Sequence, residues 1–269
     1  VAGEFYTAEE VAAIEARALK RESAQTVPGT TADVHYDFTQ FGLDRSQATL
    51  ATGLRTSLIF DPPDGRIPPL TAEGQRIMAA REEQRGLRGA RYDAPENMNL
   101  SERCLIMRGS GPPMLDSGYN SNYQFVQNRN YVMILVEMIH DARIIPVDGR
   151  EQTDAKISQW MGSSRGHWEG DTLVVETANF NGKNPVTGST KNKRVTERFT
   201  RIDDATMVYR FTIDDASMWT RPWSAELLMK KTIGPIFEHA CHEGNYGMSN
   251  TLAGARLEEK LAAEEAAAQ

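Results

Sequence analysis

Glu137, His140 and Asp141 stand directly after the apolar run Tyr131–Val136, where a buried strand would ordinarily continue with Val or Ile. An ionisable side chain buried without a partner is costly, so such residues need a partner or a function. Two further stretches share the pattern. Val195, Glu197 and Phe199 alternate onto the core face of a strand pattern over 194–202, which sets Glu197 among apolar residues unless a bulge turns it out. The segment 235–243 places Glu238, His239 and His242 among Phe237, Ala240 and Cys241. Carboxyl and imidazole groups in an apolar cavity have pKa values drawn toward neutrality, which suits them to take a proton from one atom and deliver it to another. That is the chemistry of a cofactor-independent lyase or isomerase, with a hydrolase as a variant. The candidate catalytic residues are therefore Glu137, His140, Asp141, Glu197, Glu238, His239 and His242.

Read as one strand, 131–141 puts Tyr131, Met133, Leu135, Glu137, Ile139 and Asp141 on one face and Val132, Ile134, Val136, Met138 and His140 on the other. Glu137 and His140 then point opposite ways unless the strand bulges between them. The acid partner of His140 would be Glu197 or Glu238, and the partner of Glu137 a histidine from 239–242. As a metal motif these residues are poor: they match neither HExxH nor its inverse, and on a strand His239 and His242 point apart, so no metal is expected. No nucleophile elbow, phosphate loop, dinucleotide fingerprint or flavin motif occurs, and Arg108-Gly109-Ser110-Gly111 precedes Pro-Pro rather than a helix. No cofactor is expected. Tyr123, Trp160, Trp168, Tyr209, Trp219 and Trp223 supply candidate walls for a small apolar or aromatic molecule. The same inventory fits a non-catalytic binding protein whose charges only orient a hydrophobic ligand. It also fits a purely structural role, with the acids paired to Arg143, Arg198 or Arg210.

The elements that must position these groups follow from periodicity and punctuation. Thr7-Ala8-Glu9-Glu10 is a capping-box pattern and opens a helix over about 8–23, with Val11, Ile14, Ala18 and Leu19 on one stripe. Residues 30–60 read as loop-rich, Asp61-Pro62-Pro63-Asp64-Gly65 as a turn, and Thr71 as the start of a helix ending near Gly86. From Tyr123 the spacing predicts strands at 123–127, 131–141, 142–147, 172–179, 194–202, 206–213, 223–232 and 235–243, with one short helix near 153–160. In 206–213 the core face is Met207, Tyr209, Phe211 and Ile213; in 223–232 it is Trp223, Ala225, Leu227 and Met229. This is a mainly β chain: an antiparallel meander closing into a calycin-like β-barrel over 121–248, wrapped by an N-terminal helical and loop arm over 1–120 and followed by a C-terminal helix over 249–269.

Gly166-His167-Trp168 resembles the G-x-W that opens the first strand of lipocalins. More broadly, Trp168-Glu169-Gly170-Asp171-Thr172-Leu173-Val174-Val175, Trp219-Thr220-Arg221-Pro222-Trp223 and Ala240-Cys241-His242-Glu243-Gly244-Asn245-Tyr246 resemble a group of exported bacterial β-rich proteins, the likeness covering Asp61 to Glu259. It implies export and fold, not an activity. The start at Val1-Ala2-Gly3 reads as a mature chain after leader cleavage, hence periplasmic or secreted, or else as a trimmed cytoplasmic chain. Cys104 and Cys241 are too far apart for a CxxC motif and are either disulfide-bonded or two separate thiols. A net charge of −7, with Lys191-Asn192-Lys193-Arg194 as the longest basic run and read as a solvated turn, argues against a nucleic-acid partner. No stretch reaches the roughly 20 apolar residues of a membrane span. A homo-oligomer is left open.

Overall fold

The computed structural model describes residues 4–22, 54–107, 109–115, 120–184 and 186–268, so most of the expected loop-rich stretch at 30–60 lies outside the described residues, as do the side chains of Ala18 and Leu19. Helix α1 (Ala8–Glu22) begins on the expected capping box, with Thr7 N donating to Glu10 Oε2 (2.8 Å) and Glu10 N to Thr7 Oγ1 (3.2 Å). Helix α2 (Ala72–Leu87) is capped by Thr71, whose hydroxyl accepts from Gly74 N (2.9 Å) and donates to Ser217 O (2.9 Å). It lies so close to the 215–219 loop that a Cβ on Gly74 would fall 2.4 Å from Met218 O. Helix α3 (Tyr246–Ala267) forms the expected tail.

The chain is mainly β, in two antiparallel sheets. The larger runs β1 (Ile59–Asp61), β9 (Trp223–Lys230), β8 (Thr206–Asp214), β7 (Arg194–Arg201), β6 (Thr172–Ala178) and β5 (Ser163–Glu169), in that order. The smaller is β2 (Tyr123–Gln127), β3 (Tyr131–Val136) and β4 (Ala142–Pro146). The N-terminal region is thus more than a wrapping arm, since β1 adds the outermost strand to the larger sheet. Among the described residues no ladder joins β4 to β5, although the two strands are neighbours. No described helix is long and apolar enough to cross a membrane.

Alternation holds where it was clearest. Val195, Glu197 and Phe199 of β7, Tyr209, Phe211 and Ile213 of β8, and Trp223, Ala225 and Leu227 of β9 are all buried. Their rings continue into a ladder between the sheets, from Phe125 through Phe199, Tyr209, Phe211 and Trp223 to Trp219, with neighbouring centroids 4.9–5.8 Å apart. The smaller sheet packs across the larger. Gly166 of β5 lies close under it, since a Cβ there would fall 2.9 Å from Val147 Cγ1 and 3.0 Å from Ile145 Cγ2.

Four expectations are corrected. The strand over 131–141 stops at Val136, and residues 137–141 form the β3–β4 turn, closed by Val136 N donating to Asp141 O (2.8 Å). The segment 235–243 is not a strand, because no neighbouring strand offers it a ladder among the described residues. Residues 153–160 form no helix: Asp154 Oδ1 accepts from Lys156 N (2.8 Å) and the Thr153 hydroxyl meets Ser163 Oγ (2.6 Å), local side-chain bonds that compete with helical ones.

The fourth concerns the basic run. Lys193 is 2% exposed, because it continues the inward face of β7 two residues before Val195. Its Nζ donates to Asn184 O (3.0 Å) and lies 4.4 Å from the centroid of the Phe180 ring. Burial pushes the Lys193 amine down to about 8, against the opposing pull of Asp215. Below that pH the charge is buried at full cost. Between about pH 8 and the ordinary lysine value of about 10.4 the unfolded chain binds more protons than the folded one, so stability rises with pH. The whole rise should amount to about 3 kcal/mol. Urea midpoints for wild type and Lys193→Met at pH 7 and pH 10 read it as a difference. If both proteins change alike over that window, Lys193 is not buried charged.

Candidate functional site

Two buried acidic groups divide the candidate residues. The first is Glu197, 0% exposed at the centre of the larger sheet. Arg143, projecting inward from β4, grips it with two bonds, NH1 to Oε1 (3.1 Å) and NH2 to Oε2 (2.5 Å). Tyr209 donates its hydroxyl to Glu197 Oε1 (2.7 Å) and accepts from Met114 N (2.9 Å). Burial alone would lower Arg143, but the Glu197 charge and hydrogen bonds outweigh it and hold the guanidinium above its ordinary value. Burial, then the neighbouring Glu197 charge, pushes the Tyr209 phenol well above its own. The array ties both sheets and the fully buried loop Gly109–Leu115 together. For Glu197 this is the structural alternative, with Arg143 the partner among the three arginines considered, and no bulge turns it out. Its oxygens are engaged in the protein interior, which leaves it no route to exchange a proton with a substrate.

The second is Glu137, 1% exposed at the start of the β3–β4 turn. Its carboxylate accepts from Asn120 Nδ2 (2.7 Å) and Asn122 Nδ2 (2.6 Å), and its own N–H donates to Asn122 O (3.0 Å). These bonds fasten the turn to the chain entering β2. Within it Ile139 (φ 65°) and His140 (φ 49°) are successive non-glycine residues in the left-handed region, and Asn120 (φ 48°) is a third close by. For a β-branched residue such as Ile139 this is a true outlier, of order 1–3 kcal/mol, kept only where surrounding contacts enforce it. Strain of this kind gathers at working sites.

The turn brings together groups that strict alternation would separate. His140 is exposed and its Nδ1 lies 3.3 Å from His239 O. A carbonyl only accepts, so Nδ1 carries the proton and Nε2 is the basic nitrogen of the neutral ring. Next to it the half-buried Asp141 has its carboxyl raised by burial, an effect opposed by the His140 charge and by a hydrogen bond from Ser110. The Ser110 hydroxyl is wholly buried and also stands 3.5 Å from Met138 O. A carboxyl held above its ordinary pKa beside an oriented imidazole places an acid and a base on adjacent residues. Ser110, Asn120, Asn122 and Met114 were not among the candidates. Only the small, polar Gly109-Ser110-Gly111 and Asn120-Ser121-Asn122 stretches mark the first three, such stretches ordinarily signal exposed loops, and no sequence signal marks Met114, which acts through its main chain.

The other candidates are placed apart. Glu238 and His242 are exposed, and His239 is half-buried and meets His140 through its main chain. Tyr209, Trp219 and Trp223 belong to the packed core. Trp160 and Trp168 are on the surface, Trp160 with Lys183 Nζ 5.8 Å from its ring centroid. Tyr123 is half-buried and donates its hydroxyl to Gly109 O (3.3 Å). Among the described residues no group of three or more His, Cys, Asp or Glu could hold a metal ion. No family model matches the chain, and neither the curated proteins nor the solved structures provide a match.

Proposed function

We propose that this protein is a cofactor-independent acid–base enzyme of the lyase or isomerase type, acting on a small apolar or aromatic molecule at the β3–β4 turn. The observation that carries the reading is the strained turn itself, with an exposed imidazole whose Nδ1 faces a carbonyl next to a half-buried carboxyl. His140 Nε2 removes a proton from the substrate, and Asp141, in its protonated form, returns one to a neighbouring atom. Glu137 positions the turn without touching the substrate. The likeness to exported bacterial proteins and a periplasmic or secreted location belong to the same proposal, with the Cys104–Cys241 disulfide in support.

The test is proton exchange in deuterated water over a panel of aromatic and terpenoid-like carbonyl compounds, followed by NMR. Wild type should incorporate deuterium into at least one member, and His140→Gln should slow this about 10²–10⁴-fold, the usual contribution of a positioned acid–base group. No exchange above that of His140→Gln across the panel would defeat the reading. A second reading, a lipocalin-like carrier with the two sheets acting as a calycin-like barrel around its ligand, is favoured by one observation. Trp223 Nε1 and Arg143 Nε are buried between the sheets with no hydrogen-bond partner among the described residues. Tight binding of a panel member without exchange would favour it.

A further inference from the structure

We propose that the Cys104–Cys241 disulfide is a redox-operated clamp on His140, and that its reduction by a dithiol releases the carbonyl that fixes the imidazole. The coupling rests on geometry alone; only its effect on turnover rests on the acid–base reading of the turn. Between β9 and α3 the chain forms neither strand nor helix, and most of it is exposed. Its position against the turn is set near Cys241. The Cys241 N–H donates to His239 O (3.0 Å), a tight bend of three residues that locks the direction of this carbonyl to the place of Cys241. The same carbonyl faces His140 Nδ1 at 3.3 Å.

Cys241 is joined in turn to Cys104, 137 residues earlier in the chain. Cys104 is a firm anchor. It is buried, its N–H donates to Ser101 O (3.1 Å), and the segment around it is braced by Asn99 N donating to Glu102 Oε2 (2.9 Å) and by the Arg91–Glu102 ion pair. Asn245, just before α3, brings its Nδ2 to 3.3 Å from Cys104 Sγ. The path therefore runs from Cys104 through the disulfide and the bend to His239 O and the His140 ring.

The two cysteines differ in access, Cys104 being buried and Cys241 only partly so. A dithiol thiolate attacks the Cys241 sulfur, breaks the S–S bond and expels Cys104 as a thiolate, which takes up a proton. The second thiol of the reductant then displaces Cys241, so the protein gains two electrons and two protons and the reductant leaves as its own disulfide. With Cys241 free, nothing covalent holds the bend against the turn. The His140 ring loses its enforced acceptor and reverts to a mixture of tautomers, in which Nε2 is no longer the uniformly basic nitrogen.

The experiment uses the full chain with isotope-labelled histidine, His140 being assigned by its loss in His140→Gln. Ring-nitrogen shifts are read before and after dithiothreitol, with the near-ultraviolet signal of the buried tryptophans as a check that the core stays folded. The oxidised protein should show His140 protonated at Nδ1 alone, and the reduced protein a mixture. An unchanged His140 in a folded, fully reduced protein overturns the clamp. If reduction melts the core, two glycines inserted between Ala240 and Cys241, with the disulfide intact, lengthen the link and should produce the same mixture; a retained single tautomer overturns it equally. A clamp seen by NMR, together with full exchange activity in His140→Gln, would retain this proposal and reject the catalytic one.

Discussion

Replacing Arg143 by Met is expected to lower the stability of the fold by about 3–5 kcal/mol, because it leaves a buried carboxylate without its cation. Glu197 would keep one neutral donor, Tyr209, in a region sealed on one side by β8 and on the other by β4. For a domain whose total stability is of order 5–15 kcal/mol this loss is decisive. The guanidinium is valuable here chiefly because Glu197 is present. Coulomb attraction between buried ions is largely cancelled by their desolvation, so removing both charges should be far milder than removing one. The double variant Arg143→Met with Glu197→Leu should lie within about 2 kcal/mol of wild type, the remainder arising from the Tyr209 hydroxyl, which loses its acceptor. Urea unfolding of the three proteins, with unchanged m, measures the difference. A single variant within 1 kcal/mol of wild type would mean that Glu197 is not held as a buried anion. Raising the pH tests the same array from the phenol. The folded Tyr209 pKa lies above the unfolded value of about 10, so its contribution is complete below that pH and is lost as pH climbs toward the folded value.

The contrast between Glu197 and the β3–β4 turn shows what could be read from the chain and what could not. Period-two alternation identified the inward faces of β7, β8 and β9, because each strand has ladder partners that enforce its pleat. Lys193 was missed because it precedes β7, which begins at Arg194, yet it keeps the parity of Val195 and so its inward direction. The turn was invisible for a different reason. Glu137-Met138-Ile139-His140-Asp141 contains no Gly, Pro or Asn, and Glu137 at its start is fastened by Asn120 and Asn122 from outside the hairpin. Tertiary contacts override local propensity here, and the acid–base pair owes its arrangement to that override. In β5, Ser163-Ser164-Arg165-Gly166 lacks apolar alternation, since the strand is an edge and the place of one inward side chain is taken by a glycine against Ile145 and Val147. Conversely, 235–243 has a good strand pattern and no strand, because alternation specifies a face but cannot supply a neighbour. The bond that does hold this segment, between Cys104 and Cys241, was one of two readings of the cysteine spacing.

Removing that bond should have the second large effect. In the chain-entropy treatment, a link spanning 137 residues restrains the unfolded ensemble by about 5 kcal/mol. The variant that isolates it is Cys104→Ser with Cys241→Ser. Cys104 sits at φ 53°, a left-handed position that any side chain with a Cβ finds unfavourable, and serine leaves that cost where it was, whereas glycine would relieve it and mask part of the loss. Because both partners lie outside the two sheets, the native contacts of the core should survive the substitution, and most of the change should come from the unfolded state. Two readouts follow. Unfolding free energy in urea should fall by about 4–5 kcal/mol relative to the oxidised wild type. The slope m should rise, since a chain freed of the cross-link exposes more surface when it unfolds. A fall in stability with no change in m would point to lost native packing around Cys104 instead. A loss below about 1 kcal/mol, with no free thiol detected in denatured wild type, would show that the unfolded chain already keeps these two segments together.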